Sequence, residues 1–149
     1  LMEKGSESIP GIFQYRNHAS NGSMLNTPPC FSIYILSLTT KWLLDNGGVE
    51  GMEEVNNRKS NVLYNAIDAT DFYRGAADLH CRSTMNVTFR LPSEALEAQF
   101  IKEAAGVGMS GLKGHRSVGG IRASIYNAFP ESGVDALVAF MKEFENNHG

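Results

Sequence analysis

Cysteine is scarce in this 149-residue sequence: there are two, Cys30 and Cys81, far apart and outside any CxxC pair. That excludes a disulfide framework and predicts free thiols in a reducing compartment. His80 beside Cys81 lacks a second pair to complete four ligands, so no structural metal is expected, and His18 and His148 read as solvated. Charge is also sparse. Thirteen Lys and Arg against sixteen Asp and Glu leave a net charge of −3, so the surface as a whole is not built for nucleic acid or an anionic membrane. Any basic site must be a local concentration. With 42% apolar and 19% charged residues, a disordered tail is excluded and a buried core is expected. Long apolar runs are missing too. The stretch from Phe31 to Leu44 is interrupted by Ser32, Ser37, Thr39, Thr40 and Lys41, too short and too polar to span a bilayer. The opening LMEKGSESIPGIF has neither a basic n-region nor an apolar h-region, which predicts no secretory leader and a cytoplasmic location, or a plastid in a plant-like source.

What is present reads as an α/β unit. Residues 1–29, rich in Ser, Gly, Asn and Pro, read as irregular, a length that suggests packing on something outside this segment. Phe31, Ile35, Leu38 and Trp42 share a helical face over about 31–45, with Ile33, Tyr34 and Leu36 widening it, so this helix is expected to be buried on several sides. Asn46-Gly47-Gly48 would end it. A second helix over about 49–69 carries Met52, Val55, Val62, Leu63, Ala66 and Ile67 opposite Glu53, Asn57, Arg58 and Asn61. Met85 to Leu91 alternates apolar and polar as a half-buried strand does, and Ile121 to Tyr126 and the short Phe72-Tyr73-Arg74 are further strand candidates. Ser93 is placed to cap a helix carrying Leu96, Phe100, Ile101 and Ala104. A last helix over about 132–146 is striped by Val134, Leu137, Val138, Met141 and Phe144. The order implies helices packed on a small mixed or antiparallel sheet, with the best boundary near Gly47-Gly48.

The stretch that carries chemistry is GVGMSGLKGHRSVGGIR, residues 106–122. Lys113, His115, Arg116 and Arg122 fall within ten residues of an acidic chain, among Gly114, Gly119 and Gly120. Glycine lets backbone approach a ligand closely, arginine offers a planar fork for phosphate or carboxylate, and histidine adds a ring donor. The combination describes a small-anion site, with a solvated glycine turn as the plain alternative. The GxGxxG at 106–111 follows a helix and precedes a strand, the reverse of a dinucleotide fingerprint. A Walker loop fails because Leu112 stands where its lysine belongs. Gly111-Leu112-Lys113-Gly114 lacks the context of an RNA-binding clamp. No carboxylate pair or nucleophilic triad can be assembled.

The run LKGHRSVGGIRASIYNA, residues 112–128, resembles the C-terminal signature of the phosphoserine aminotransferases, and Asn26-Thr27-Pro28-Pro29 with Phe31-Ser32-Ile33-Tyr34 resembles a second motif of that family. The similarity extends through Trp42-Leu43, Asn46-Gly47-Gly48, Met85-Asn86-Val87 and Phe140 to Phe144, and is weakest over residues 1–20. The resemblance implies a fold type I, pyridoxal-phosphate-dependent homodimer that exchanges amino groups between phosphoserine with 2-oxoglutarate and 3-phosphohydroxypyruvate with glutamate in serine biosynthesis. It implies that residues 1–48 are the tail of a large cofactor-binding domain, a loop plus a buried helix, and that residues 49–149 are the small C-terminal α/β domain. His115 and Arg116 would hold the substrate phosphate, and Arg122 the α-carboxylate. Asn26 and Thr27 would reach the cofactor phosphate of the neighbouring subunit. The family's cofactor lysine, pyridine-pairing aspartate and stacking ring belong upstream, and none of the six lysines here lies in a matching motif. Two expectations follow: a substrate-binding portion of such an enzyme, or a non-catalytic phosphate-binding or interaction module.

Overall fold

The computed structural model describes residues 2–149, which divide into two compact units, one ending at Asp45 and the other Asn46–Gly149. The first unit is less irregular than its composition suggests. A 3-10 turn at Gly11–Phe13 leads into α1 (Tyr15–Ser20). Side chains hold this segment together: Gln14 donates to the carbonyl of Ile9 at 2.8 Å, Asn17 to that of Gly11 at 2.9 Å, and Arg16 pairs with Glu7 at 2.7 Å. His18 is half-buried, not solvated, with Nε2 2.6 Å from the carbonyl oxygen of Ile12. The apolar helix forms as α2 (Cys30–Asp45) but buries none of its residues. Phe31 is 77% exposed and Leu44 74%. The expectation of a buried helix is therefore not met within this chain, because the unit supplies no second layer for an apolar helix to pack on.

The second unit is a two-layer α/β sandwich. It comprises α3 (Gly48–Asp68), β1 (Arg74–Gly75), β2 (Asn86–Arg90), α4 (Glu94–Gly106), β3 (Ile121–Ser124) and α5 (Glu131–His148). The strands make one antiparallel sheet in the order β1-β2-β3, with Val87 opposite Ala123, Thr88 opposite Arg122 and Phe89 opposite Ile121. Alternation decides what each face does. Val87, Phe89, Ile121 and Ala123 are buried, while Asn86, Thr88, Arg90, Arg122 and Ser124 stay half-exposed on the other face.

The buried face meets Leu63 and Ile67 of α3, Phe100 and Ala104 of α4, and Val134, Leu137, Met141 and Phe144 of α5. Phe100 is the hub of an edge-to-face aromatic cluster, with ring centroids 6.0 Å from Phe89, 5.0 Å from Phe140 and 5.1 Å from Phe144. Tyr73 joins this core just before β1, and its hydroxyl donates to the Met141 carbonyl at 2.8 Å, while burial pushes its pKa up. Ser93 caps α4 as its sequence predicts, accepting from the Leu96 N–H at 3.3 Å. His148 is half-buried against the Phe144 ring, 4.3 Å between centroids.

The buried stripe of α3 is rotated from the one its apolar residues suggest. Val62 is 40% exposed, and the buried line is Met52, Asn56, Lys59, Ser60, Leu63 and Ile67. The reason lies in the chain that follows β3. The Lys59 ammonium, 1% exposed, donates to the carbonyls of Ile125, Asn127 and Phe129 at 2.7, 3.0 and 3.0 Å. All three of its protons are thereby used. Beside it Asn56 donates to the Asn127 side-chain oxygen at 2.9 Å and accepts the Asn127 N–H at 3.0 Å. This clamp holds Asn127 at a φ of +34°, a left-handed conformation that asparagine tolerates better than most residues. Burial draws the Lys59 pKa below its usual value, with Glu131 opposing.

Lys59→Met keeps the aliphatic volume but leaves three carbonyls without a donor. It is expected to cost roughly 3 kcal/mol or more, read as a fall in the urea unfolding midpoint; a loss under about 1 kcal/mol would show that the carbonyls find other partners. Arg82 grips Asp68 through two bonds, one of 2.7 Å, and holds the Asp68 carboxyl below its ordinary pKa. A depressed native pKa means stability that is present above the unfolded value of about 3.9 and is lost as the pH falls through the native one. The carboxylate is 45% exposed, so the contribution is at most about 1 kcal/mol. Wild type should thus exceed Asp68→Asn in unfolding midpoint at neutral pH and converge with it in acid; parallel curves down to the lowest pH would refute the linkage.

Candidate functional site: an anion loop between α4 and β3

Helix α4 runs out at Gly106, and the chain returns to the sheet through Gly108 and Gly111, at φ +87° and +79°. It then lies along β3: the Arg122 N–H donates to the Leu112 carbonyl at 2.8 Å, Lys113 bridges to Ile121, and the Gly114 N–H donates to the Gly120 carbonyl at 2.8 Å. These contacts form the neck of a loop whose body is His115 to Gly119. Only glycine fits there. A Cβ on Gly114 would sit 1.9 Å from the Gly119 carbonyl oxygen, and Gly120, at φ +71°, would place one 2.9 Å from the Phe89 carbonyl oxygen.

Inside the loop the His115 carbonyl accepts from the N–H groups of Val118 and Gly119 at 3.0 and 2.8 Å, a tight turn that leaves Arg116 exposed at its tip. His115 Nδ1 lies 2.7 Å from the Ser117 hydroxyl and 3.3 Å from the Ser117 backbone nitrogen, whose N–H it accepts. With Nδ1 occupied as an acceptor, a neutral His115 carries its proton on Nε2, leaving that N–H available to a ligand. Arg122 follows the neck on β3. Its Nε is buried and without a hydrogen-bond partner, an unmet donor on a side chain whose residue is only half-buried. Chemically this is a constrained loop presenting His115 and Arg116, with a second guanidinium on the adjoining rigid strand.

Of the residues singled out from sequence, His115, Arg116 and Arg122 thus fall in one continuous structural piece. Asn26 and Thr27 belong to the first unit, exposed just before α2, and the Asn26 amide donates to the Thr27 carbonyl at 3.3 Å. An apolar cleft of about 590 Å³ lies between residues 107–112, β3 and α5, lined by Met109, Leu112, Ile125, Phe129 and Leu137 among others. No charged side chain lines it, so it offers an anion little. Among the described residues no three His, Cys, Asp or Glu side chains come together as metal ligands, both cysteines are free, and no helix is long and apolar enough to cross a membrane.

Comparison with known proteins gives the chain as a whole a family. The chain belongs to the class-V aminotransferases, whose family model matches residues 2–137. It is 53% identical to the phosphoserine aminotransferase of Desulfosudis oleivorans, over all of this chain and 42% of that protein, and 55% identical to that of Laribacter hongkongensis, over all of this chain and again 42%. Among solved structures it matches the phosphoserine aminotransferase from Bacillus circulans subsp. alkalophilus with a TM-score of 0.91 at 46% identity, covering 99% of this chain and 41% of that one. It also matches the PLP-bound phosphoserine aminotransferase from Trichomonas vaginalis with a TM-score of 0.81 at 37% identity, over 92% of this chain and 39% of that one. The chain spans about two-fifths of the length of these relatives.

The neck yields a direct test. Gly114→Ala cannot close onto the Gly120 carbonyl, so the amide exchange protection of residue 114 should be lost and stability should fall by roughly 1–3 kcal/mol. Retained protection at that amide would mean that the loop adjusts without opening.

Proposed function

We propose that this chain is the substrate-binding portion of a phosphoserine aminotransferase, which exchanges amino groups between phosphoserine with 2-oxoglutarate and 3-phosphohydroxypyruvate with glutamate. The observation that carries this reading is the glycine-pinned loop, which presents a His and an Arg beside a strand arginine whose Nε is buried and unmet. In this reading His115, through Nε2–H, and Arg116 hold the phosphate. Arg122 holds the α-carboxylate, a task suited to a planar fork on a strand. The two anionic ends of one substrate then meet separate cations, which fixes its orientation. Residues up to about 48 are assigned to the tail of the large domain, and residues from about 49 to the small domain. The bare apolar surface of α2 supports a covering layer in the complete protein. Asn26 and Thr27 are assigned to the cofactor phosphate of a partner subunit in a homodimer, and the complete enzyme to the cytoplasm.

Pyridoxal phosphate, the cofactor of this activity, supplies the electron sink for transamination when bound. The residues here do not fit it by themselves. Lys59, the buried lysine amine, has all its protons committed to backbone carbonyls, and the other described lysines are exposed. That commitment favours a second reading for the isolated polypeptide, a non-catalytic phosphate-binding module; turnover of phosphoserine by the isolated chain would overturn it.

In the complete enzyme Arg122→Ala should raise the KM for both phosphoserine and glutamate by roughly a hundredfold, the scale of a lost buried charge pair. Unchanged KM values would remove Arg122 from the carboxylate site.

A further inference from the structure

Arg90 is the last residue of β2 and projects from the half-exposed face of the sheet that also carries Arg122. Its guanidinium is not free. Nε lies 3.1 Å from Glu97 Oε1 on α4, and Nη1 donates to the Val118 carbonyl inside the anion loop at 2.8 Å. The Glu97 carboxylate is almost fully buried, its side chain 9% exposed, and the same oxygen accepts the Leu91 N–H at 3.4 Å. The arginine stem lies across the loop's base: a Cβ on Gly119 would come within 2.8 Å of Nη1, and one on Gly120 within 2.7 Å of Cδ. Two glycines therefore make room for one side chain, and Val118, whose carbonyl that side chain holds, itself donates its N–H to the His115 carbonyl.

We propose that Arg90 is a positioning residue for the phosphate-binding loop, a strut from Glu97 to Val118 that fixes where His115 and Arg116 present their donors without itself touching the anion. The inference rests on the assignment of that loop to the substrate phosphate. Two features separate a strut from a direct ligand. The Glu97 carboxylate offsets the arginine's charge. The planar fork is needed to reach a carboxylate with one nitrogen and a carbonyl with another, which a lysine ammonium on its flexible stem does not reproduce.

The test uses the complete enzyme with Arg90→Met, Arg90→Lys, Glu97→Gln and, as a probe of the loop itself, Arg116→Ala. For Arg90→Met the KM for phosphoserine and the inhibition constant of inorganic phosphate should both rise roughly ten- to a hundredfold, the scale of a small misplacement of binding groups. The KM for glutamate, which has no phosphate, and kcat at saturation should stay within about twofold, well short of that scale. Arg90→Lys should fail to restore phosphate affinity, and Glu97→Gln should weaken it by a smaller factor in the same direction. Full rescue by lysine, an equal loss for glutamate, or no change in phosphate affinity in Arg90→Met would each overturn the strut. Should Arg90→Met not fold, Glu97→Gln decides by the same contrast between phosphate and glutamate. If Arg116→Ala leaves phosphate affinity intact, the phosphate assignment of the loop fails and the strut's role falls with it. If Arg116→Ala weakens it and Arg90→Met does not, only the strut is wrong.

Discussion

The second unit depends on one buried ammonium. Lys59 reaches from the middle of α3 to three successive alternate carbonyls after β3, residues 125, 127 and 129. This segment must leave a sheet edge, turn and enter α5 within a few residues, so its backbone groups cannot all find partners in regular structure. A single donor with three protons satisfies three of them at once, and it fixes the exit of β3 and the entry of α5 to the same helix. The cost of burying the charge is offset only because every proton is used. The clamp thereby ties the end of β3 and the start of α5, where Val134 and Leu137 join the core, to the middle of α3.

The sheet divides labour by the pleat. One face is committed to the Phe89–Phe100–Phe144 cluster and the helices behind it. The opposite face carries Thr88, Arg90 and Arg122, where long polar side chains can lie flat and interact across strands. The candidate site is therefore an extension of that polar face: Arg122 is part of it, and the basic loop is tied to it through Arg90. Rigidity comes from the core side, while chemistry is displayed on the other. Loops held on a rigid scaffold in this way are where binding groups are commonly found.

Much of this was legible in the sequence. The helices α2 to α5 and strand β2 lie within a few residues of where periodicity puts them, because apolar spacing and the Ser93 cap are local signals. The basic glycine stretch was legible for the same reason: glycines and cations cluster within one short segment. The misses on α3 and β2 are long-range. Asn56 and Lys59 sit on the buried line of α3 but read as polar, and their partners lie some seventy residues downstream. A spacing count from Met52 through 56, 59, 60, 63 and 67 would have put them inward. Arg90 reads as one more polar residue of an alternating strand, and only the fold shows it crossing Gly119 and Gly120. The rotation of α3, the half-buried histidines at 18 and 148, and the uncovered α2 likewise follow from what surrounds each segment.

The glycine neck has a consequence for how such a site can change over evolutionary time. Within the neck the tightest backbone approaches fall on Gly114, Gly119 and Gly120, and the contact from Arg90 is made to a main-chain oxygen. Among the described residues, the side chains at 115 to 118 hydrogen-bond with one another, His115 to Ser117, and not with the frame around them. They form a cassette whose donors can be exchanged for other ligand chemistries while the frame around them is inherited intact.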